Sequence, residues 1–173
     1  MNIIIAFMGD NRIGKSTCAT YLLEKHNVPK YSLAYPIKEA MRTLFNLSDN
    51  QLYNDDKDKY DDNLGFVPRN EMIKFATYCK ANYGDDIFCK SLISKIDKSY
   101  YISTIDDMRF GNEIEFFKHL SDDYVLYLVY ITHDETFYNN KYDYIIHNTG
   151  TLSHLYNCLD SVYYDIVGKW NNQ

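Results

Sequence analysis

GDNRIGKST, residues Gly9 to Thr17, follows the apolar run NIIIAF almost directly. The stretch has the form G-x-x-x-x-G-K-[ST], a loop that cradles phosphates with its backbone N–H groups. Its surroundings suit that reading. Asn2 to Met8 predicts a short buried strand rich in isoleucine, and Ser16 to His26 (STCATYLLEKH) predicts a helix. Strand, loop, helix is the order that aims N–H groups and a helix N-terminus at phosphate oxygens. Gly9 and Gly14 allow conformations and close approach that a side chain obstructs. Lys15 supplies a point charge for the β- and γ-phosphates, and Ser16 a hydroxyl for Mg²⁺. Chance produces the pattern in a chain of 173 residues on the order of one time in a hundred.

The whole chain reads as one domain over 1–173, large enough to bury a core. Hydrophobic residues at 46% and charged residues at 24% are ordinary globular composition. A net charge of -6 with no Lys/Arg-rich stretch argues against a nucleic-acid surface. Cys18, Cys79, Cys89 and Cys158 lie far apart without C-x-x-C spacing, which predicts a reduced, cytoplasmic protein. No run approaches the length of a membrane span, and MNIIIAFMGD lacks the basic start of a signal peptide. The 18 tyrosines, with many Asn, Ile and Lys, fit an AT-rich genome. Oligomeric state stays open, because 16% aromatic residues can fill a core or a homodimer interface.

Further along, Pro36 opens a predicted helix through IKEAMRTLF, and Pro68 opens another through RNEMIKFATYCKANY. DDIFCKSLISKI and NEIEFFKHL also read as helices, and a last helix begins near Thr151. YYISTI (100–105), YVLYLVYI (124–131) and YDYIIHN read as strands. Strands alternating with helices predict an α/β fold of three layers, a parallel sheet with helices on both faces. The acidic stretch 48–67 and the loop 132–142 are the candidates for mobile substrate or lid segments.

Phosphoryl transfer needs a carboxylate for the metal, typically at the end of another parallel strand. YYISTIDDMRF places Asp106 and Asp107 where a strand gives out, with Arg109 beside them. Solvated acids at a strand end are the plainer alternative. NKYD (Asn140–Asp143) fits the N-K-x-D that reads guanine in GTPases. The companion D-x-x-G is missing, since Asp107 is followed by Met-Arg-Phe, and the preceding THDETFYN is polar where a buried strand is needed. The five histidines show no metal-ligand spacing.

Several segments together resemble the deoxynucleoside monophosphate kinases of large DNA phages and viruses. Beyond the loop, SLAYPIKEAM is similar to that family's "fAdPLKe", and NQLYNDDKDK to a following "qLyg..Ke". VPRNEMIKFATYCKANYGDDIFCKSL resembles "SPRelLQ.lGTe..R...pdiW...l". IDDMRFGNEIEFF resembles "DvRFpNEae.i", and YDYIIHNTGTLSHL resembles "d.vI.N.Gtl..L". The order is right across nearly the whole chain, and DMRFGNE and IIHNTGTL are the most specific pieces.

The resemblance implies a P-loop kinase fold moving the γ-phosphoryl of ATP onto a deoxynucleoside 5′-monophosphate with Mg²⁺. It implies that Gly9, Asn11, Arg12, Ile13, Gly14, Lys15, Ser16 and Thr17 hold the ATP phosphates, with Ser16 and Asp107 at the metal. Lys15, Asp107, Arg109 and Arg12 are the implied catalytic group. Lys38, Arg42 and Arg69, with Asp107 and Arg109, fall on the monophosphate side. Asn148, Gly150 and Thr151 fall near the adenine. The partners implied are small nucleotides, with no nucleic acid and no membrane, in the host cytoplasm if the protein is viral.

The chain also departs from the pattern. Tyr35 replaces an acid before Pro36, FATY replaces LGTE, and Lys80 or Asn82 stands near an expected arginine. No arginine follows Arg109, although kinases of this type commonly close an arginine-bearing lid. A nucleotide-binding scaffold without turnover, or a kinase for another small acceptor, therefore remains open at this level.

Overall fold

The computed structural model describes residues 1–120 and 122–171. The chain divides into two compact units, Met1–Ser32 with Ile96–Gln173, and Leu33–Lys95.

The first unit is built on a five-stranded parallel sheet in the order β2-β3-β1-β4-β5. Its strands are β1 (Asn2–Met8), β2 (Lys30–Tyr31), β3 (Ile102–Ile105), β4 (Tyr124–Thr132) and β5 (Tyr144–His147). β1 is central: Ile3 pairs with Ile102 on one side and Val125 on the other. The isoleucine run fits this place, since Ile3 to Phe7 are at most 1% exposed and a strand covered on both faces needs no polar alternation.

Helix α1 (Lys15–His26) leads from β1 to β2, and α6 (Gly111–Lys118) leads from β3 to β4. The two crossovers run in opposite directions along the sheet, so right-handed connections put them on opposite faces. Ile3, Ile5 and Phe7 join Cys18, Ala19 and Leu22 of α1 and Leu155, Leu159 and Ile166 of α7 (Leu152–Asn171) in one core. Ile4 and Ala6 point the other way. α6 packs against β4, with Phe117 fully buried. The expected three-layer arrangement is present. The order of strands also reverses at β1, which in open α/β sheets opens a ligand crevice at the carboxyl ends of the strands.

The second unit is helical: α2 (Tyr35–Phe45), α3 (Asp49–Tyr53), a 3-10 turn (Asp55–Asp58), α4 (Pro68–Tyr83) and α5 (Ile87–Ile93). Polar composition makes 48–67 look like an excursion outside the core, yet α3 buries Leu52 completely. Ser48 explains the helix there. Its hydroxyl accepts the Gln51 N–H at 3.3 Å, and the Gln51 side chain accepts the Ser48 N–H at 2.9 Å. Gln51 also donates to Asp61 at 2.7 Å.

Candidate active site

The loop leaves β1 through Gly9, whose φ is +128°; a Cβ there meets the Ile131 carbonyl of β4 at 2.3 Å. Only glycine fits so close to the neighbouring strand. Ile13 is buried and anchors the loop, and its carbonyl accepts a hydrogen bond from the Asn148 side chain at 3.0 Å. Arg12 is exposed and takes a φ of 62°. Gly14, with φ at 106°, precedes α1 and caps it with no side-chain hydrogen bond. The first intrahelical bond is Cys18 N–H to the Gly14 carbonyl, so the amides of Lys15, Ser16 and Thr17 precede the ladder. They face an N-terminus that favours negative charge. Ser16 and Thr17 are exposed there.

Lys15 itself is 7% exposed, and its ammonium donates to the Gly9 carbonyl at 2.8 Å and to the Asp10 carbonyl. Burial pulls its pKa below the ordinary lysine value; Arg109 pulls the same way, while Asp10, Asp106 and Asp107 pull back. Lys15 thus shares one electrostatic neighbourhood with the residues at the end of β3. Burial pushes the Cys18 thiol just below the loop up to about 12, which keeps it protonated and inert.

At the end of β3, Asp106 is 7% exposed and lies 3.5 Å from the Lys30 ammonium. Its N–H continues the sheet by donating to the Tyr31 carbonyl at 3.2 Å. Asp107 accepts the Ser32 hydroxyl at 2.7 Å. Met108 is fully buried, while the Arg109 side chain is exposed. Buried Glu113, in the first turn of α6, accepts the N–H of Arg109 at 2.8 Å and of Phe110 at 3.0 Å. Lys30, Ser32 and Glu113 were not singled out from the sequence. Glu113 was legible as the last letter of DMRFGNE, but its task shows only in three dimensions.

No group of three or more His, Cys, Asp or Glu suited to a metal occurs among the described residues. That fits Mg²⁺ bound with a nucleotide, which takes one or two carboxylates and a hydroxyl together with phosphates rather than a full protein cage. Asp107 and Ser16 are hard oxygen donors of the right kind.

Asn148 donates to the phosphate loop through its side chain, and its N–H bonds the Thr132 carbonyl at 2.7 Å. Gly150 lies against His154, whose ring a Cβ would meet at 3.1 Å. The Thr151 hydroxyl accepts the His154 N–H at 3.2 Å and so caps α7. The NTGT segment therefore braces the loop as well as lying beside it.

The remaining predicted residues lie in the second unit and are engaged separately. The Lys38 ammonium sits 4.1 Å from the centre of the Tyr53 ring. Arg42 bonds Asp49 at 2.7 Å and Glu39 at 3.4 Å. Arg69 grips Asp58 with both Nε and Nη2. The NKYD stretch has a structural task instead of a base to read: Asp143 accepts the Leu128 N–H of β4 at 2.7 Å, just ahead of β5.

Comparison with known proteins agrees with this geometry. A family model described as deoxynucleotide monophosphate kinase matches residues 3–65, which hold β1, the loop, α1, β2, α2 and α3. A protein of Acanthamoeba polyphaga mimivirus named "Putative deoxynucleotide monophosphate kinase" is 31% identical over 134 residues, 68% of this chain and 69% of that protein.

Proposed function

The chain belongs to the deoxynucleotide monophosphate kinase family, and from that premise we propose that it moves the γ-phosphoryl of ATP onto a deoxynucleoside 5′-monophosphate, using Lys15, Asp107 and Arg109. The observation that carries this assignment is the placement of an uncapped helix N-terminus and a buried lysine at the end of the central strand, in the same field as Asp106, Asp107 and Arg109.

In such a transfer the protein does little covalent chemistry; it positions two nucleotides and spreads developing charge. The amides of Gly14 to Thr17 hold the donor's phosphates at the start of α1. Lys15 exchanges its two carbonyl partners for β- and γ-phosphate oxygens. Arg109 and Arg12 add positive charge where the γ-phosphoryl leaves. A bound Mg²⁺ supplies charge neutralisation between the β- and γ-phosphates, and Ser16 and Asp107 are the residues to hold it. Lys38, Arg42 and Arg69 serve the acceptor's 5′-phosphate, where the forked arginines match phosphate geometry. Four free cysteines suit a reducing compartment, the cytoplasm of an infected host for a viral enzyme. No helix among the described residues is long and apolar enough to cross a membrane.

The test is direct. Incubation with γ-labelled ATP, Mg²⁺ and each deoxynucleoside or ribonucleoside monophosphate should give labelled diphosphate with at least one deoxynucleotide acceptor. Tight ATP binding with no transfer to any of them would overturn the reading in favour of a nucleotide-binding protein without turnover. That outcome has a physical basis, since only Arg12, Arg42, Arg69 and Arg109 are available and two of them already hold carboxylates.

A further inference from the structure

The turn from Asp106 to Phe110 carries two of the proposed working groups but belongs to neither β3, which ends at Ile105, nor α6, which begins at Gly111. Buried Met108 anchors its middle. Its two flanks are held by side chains that nothing in the phosphate chemistry requires. On one flank Ser32, the residue just after β2, donates its hydroxyl to Asp107 Oδ2 at 2.7 Å. On the other flank Glu113 Oε2 accepts both the Arg109 N–H at 2.8 Å and the Phe110 N–H at 3.0 Å.

Glu113 is the more telling of the two. It is 7% exposed, on a turn that already carries Asp106 and Asp107. Burying a further carboxylate there is costly unless its charge is compensated. The two amides and the N-terminus of α6 provide that compensation. The grip falls on the backbone of Arg109, while its guanidinium side chain is exposed. Ser32 acts in the same sense on Asp107: a hydroxyl donated to one carboxylate oxygen favours the ionised form and fixes the side-chain rotamer.

We propose that Glu113 and Ser32 are positioning residues: Glu113 sets the backbone from which Arg109 reaches the transferring phosphoryl, and Ser32 sets the orientation of Asp107. The proposal rests on the roles given above to Arg109 and Asp107. It differs from a general stabilising role in that each residue acts through one named partner.

Double-mutant cycles separate the two possibilities. Arg109→Ala tests the underlying reading; no loss of kcat in that variant would remove the role of Arg109 itself. Given such a loss, Glu113→Ala alone lowers kcat on the order of tenfold. In the Arg109→Ala background it lowers kcat less than about twofold, since its partner is already gone. A full tenfold further loss in that background would overturn the positioning role. Ser32→Ala paired with Asp107→Asn is read the same way.

Both bonds to Glu113 reach a single oxygen, so Glu113→Gln can keep them with its amide oxygen and recovers most of the activity. Ser32→Thr likewise keeps its hydroxyl. Amide hydrogen exchange supplies a readout independent of turnover. Exchange at Arg109 and Phe110 speeds up in Glu113→Ala and stays slow in Glu113→Gln. Should Glu113→Ala fail to fold, the Gln variant decides: slow exchange and near-normal kcat support the proposal, and a tenfold loss of kcat at unchanged Tm overturns it.

Discussion

Lys15 and the arginines of the Leu33–Lys95 unit are both suited to phosphate, but the chain holds them in different ways. The Lys15 ammonium is buried and rests on two neutral carbonyls, those of Gly9 and Asp10. Arg42 and Arg69 are half-exposed and rest on carboxylates, of Asp49 and Glu39 in one case and Asp58 in the other. A carbonyl yields to a phosphate oxygen with a net gain in charge compensation. A carboxylate opposes the exchange, because one anion must displace another. The donor side is thus poised for a triphosphate, whereas the proposed acceptor side carries internal competitors.

The largest break in this comparison is Lys15→Ala. It removes the buried charge and is expected to lower kcat on the order of 10³-fold, with α/β structure intact by circular dichroism. Gly9→Ala attacks the carbonyl partner and the loop's seat on β4. A side chain at φ +128°, 2.3 Å from the Ile131 carbonyl, should cost about 3 kcal/mol in urea denaturation. Arg69→Ala should raise KM for the acceptor about tenfold and leave KM for ATP unchanged. Asp58→Asn sharpens the contrast by its sign: removal of the competing carboxylate should lower the acceptor KM about threefold. A rise instead would show that Asp58 only shapes the helical unit.

The smallest effect is expected at the other end of α1, where a cation is held for structure alone. Lys25, His26 and Tyr21 all bond Asp160 of α7. Burial works against the Asp160 charge, but the hydrogen bonds from Lys25, His26 and Tyr21 outweigh it and hold its carboxyl below the ordinary carboxylate range. A depressed carboxyl contributes stability that is present above its unfolded pKa, about 3.9, and is lost as pH falls through the folded value. Asp160→Asn should therefore lower Tm slightly at pH 7, with the difference from wild type closing below about pH 4 and KM for ATP unmoved.

The same contrast explains what could be read from the sequence. β1, the loop and α1 were legible because two glycines, Lys15 and Ser16 sit at a spacing that one geometry requires. The tract 124–131 was legible because a run of apolar and aromatic residues that long has to be buried. β2 was not, since Lys30–Tyr31 is two residues long and exists through its pairing with Thr104 and Ile105. α3 was hidden by its polar surface, with Leu52 alone buried and the Ser48 cap easily read as part of a loop. At the site, Lys15, Asp107 and Arg109 could be named in advance, but Ser32 and Glu113 could not. Their partners lie 75 residues away in one case and on the backbone in the other. Asn148 was expected beside the adenine, and its bond to the Ile13 carbonyl depends on how β5 meets the loop, which no local pattern encodes.

The most direct measurement is an amide-resolved NMR titration of the ¹⁵N-labelled chain with Mg²⁺–ATP. The account predicts that Gly14, Lys15, Ser16 and Thr17 show the largest shifts, that the amides around Arg42 and Arg69 respond chiefly to a later addition of deoxynucleoside monophosphate, and that Lys15→Ala abolishes the first set. Shifts induced by ATP around Arg42 and Arg69, with Gly14 to Thr17 unmoved, would contradict it.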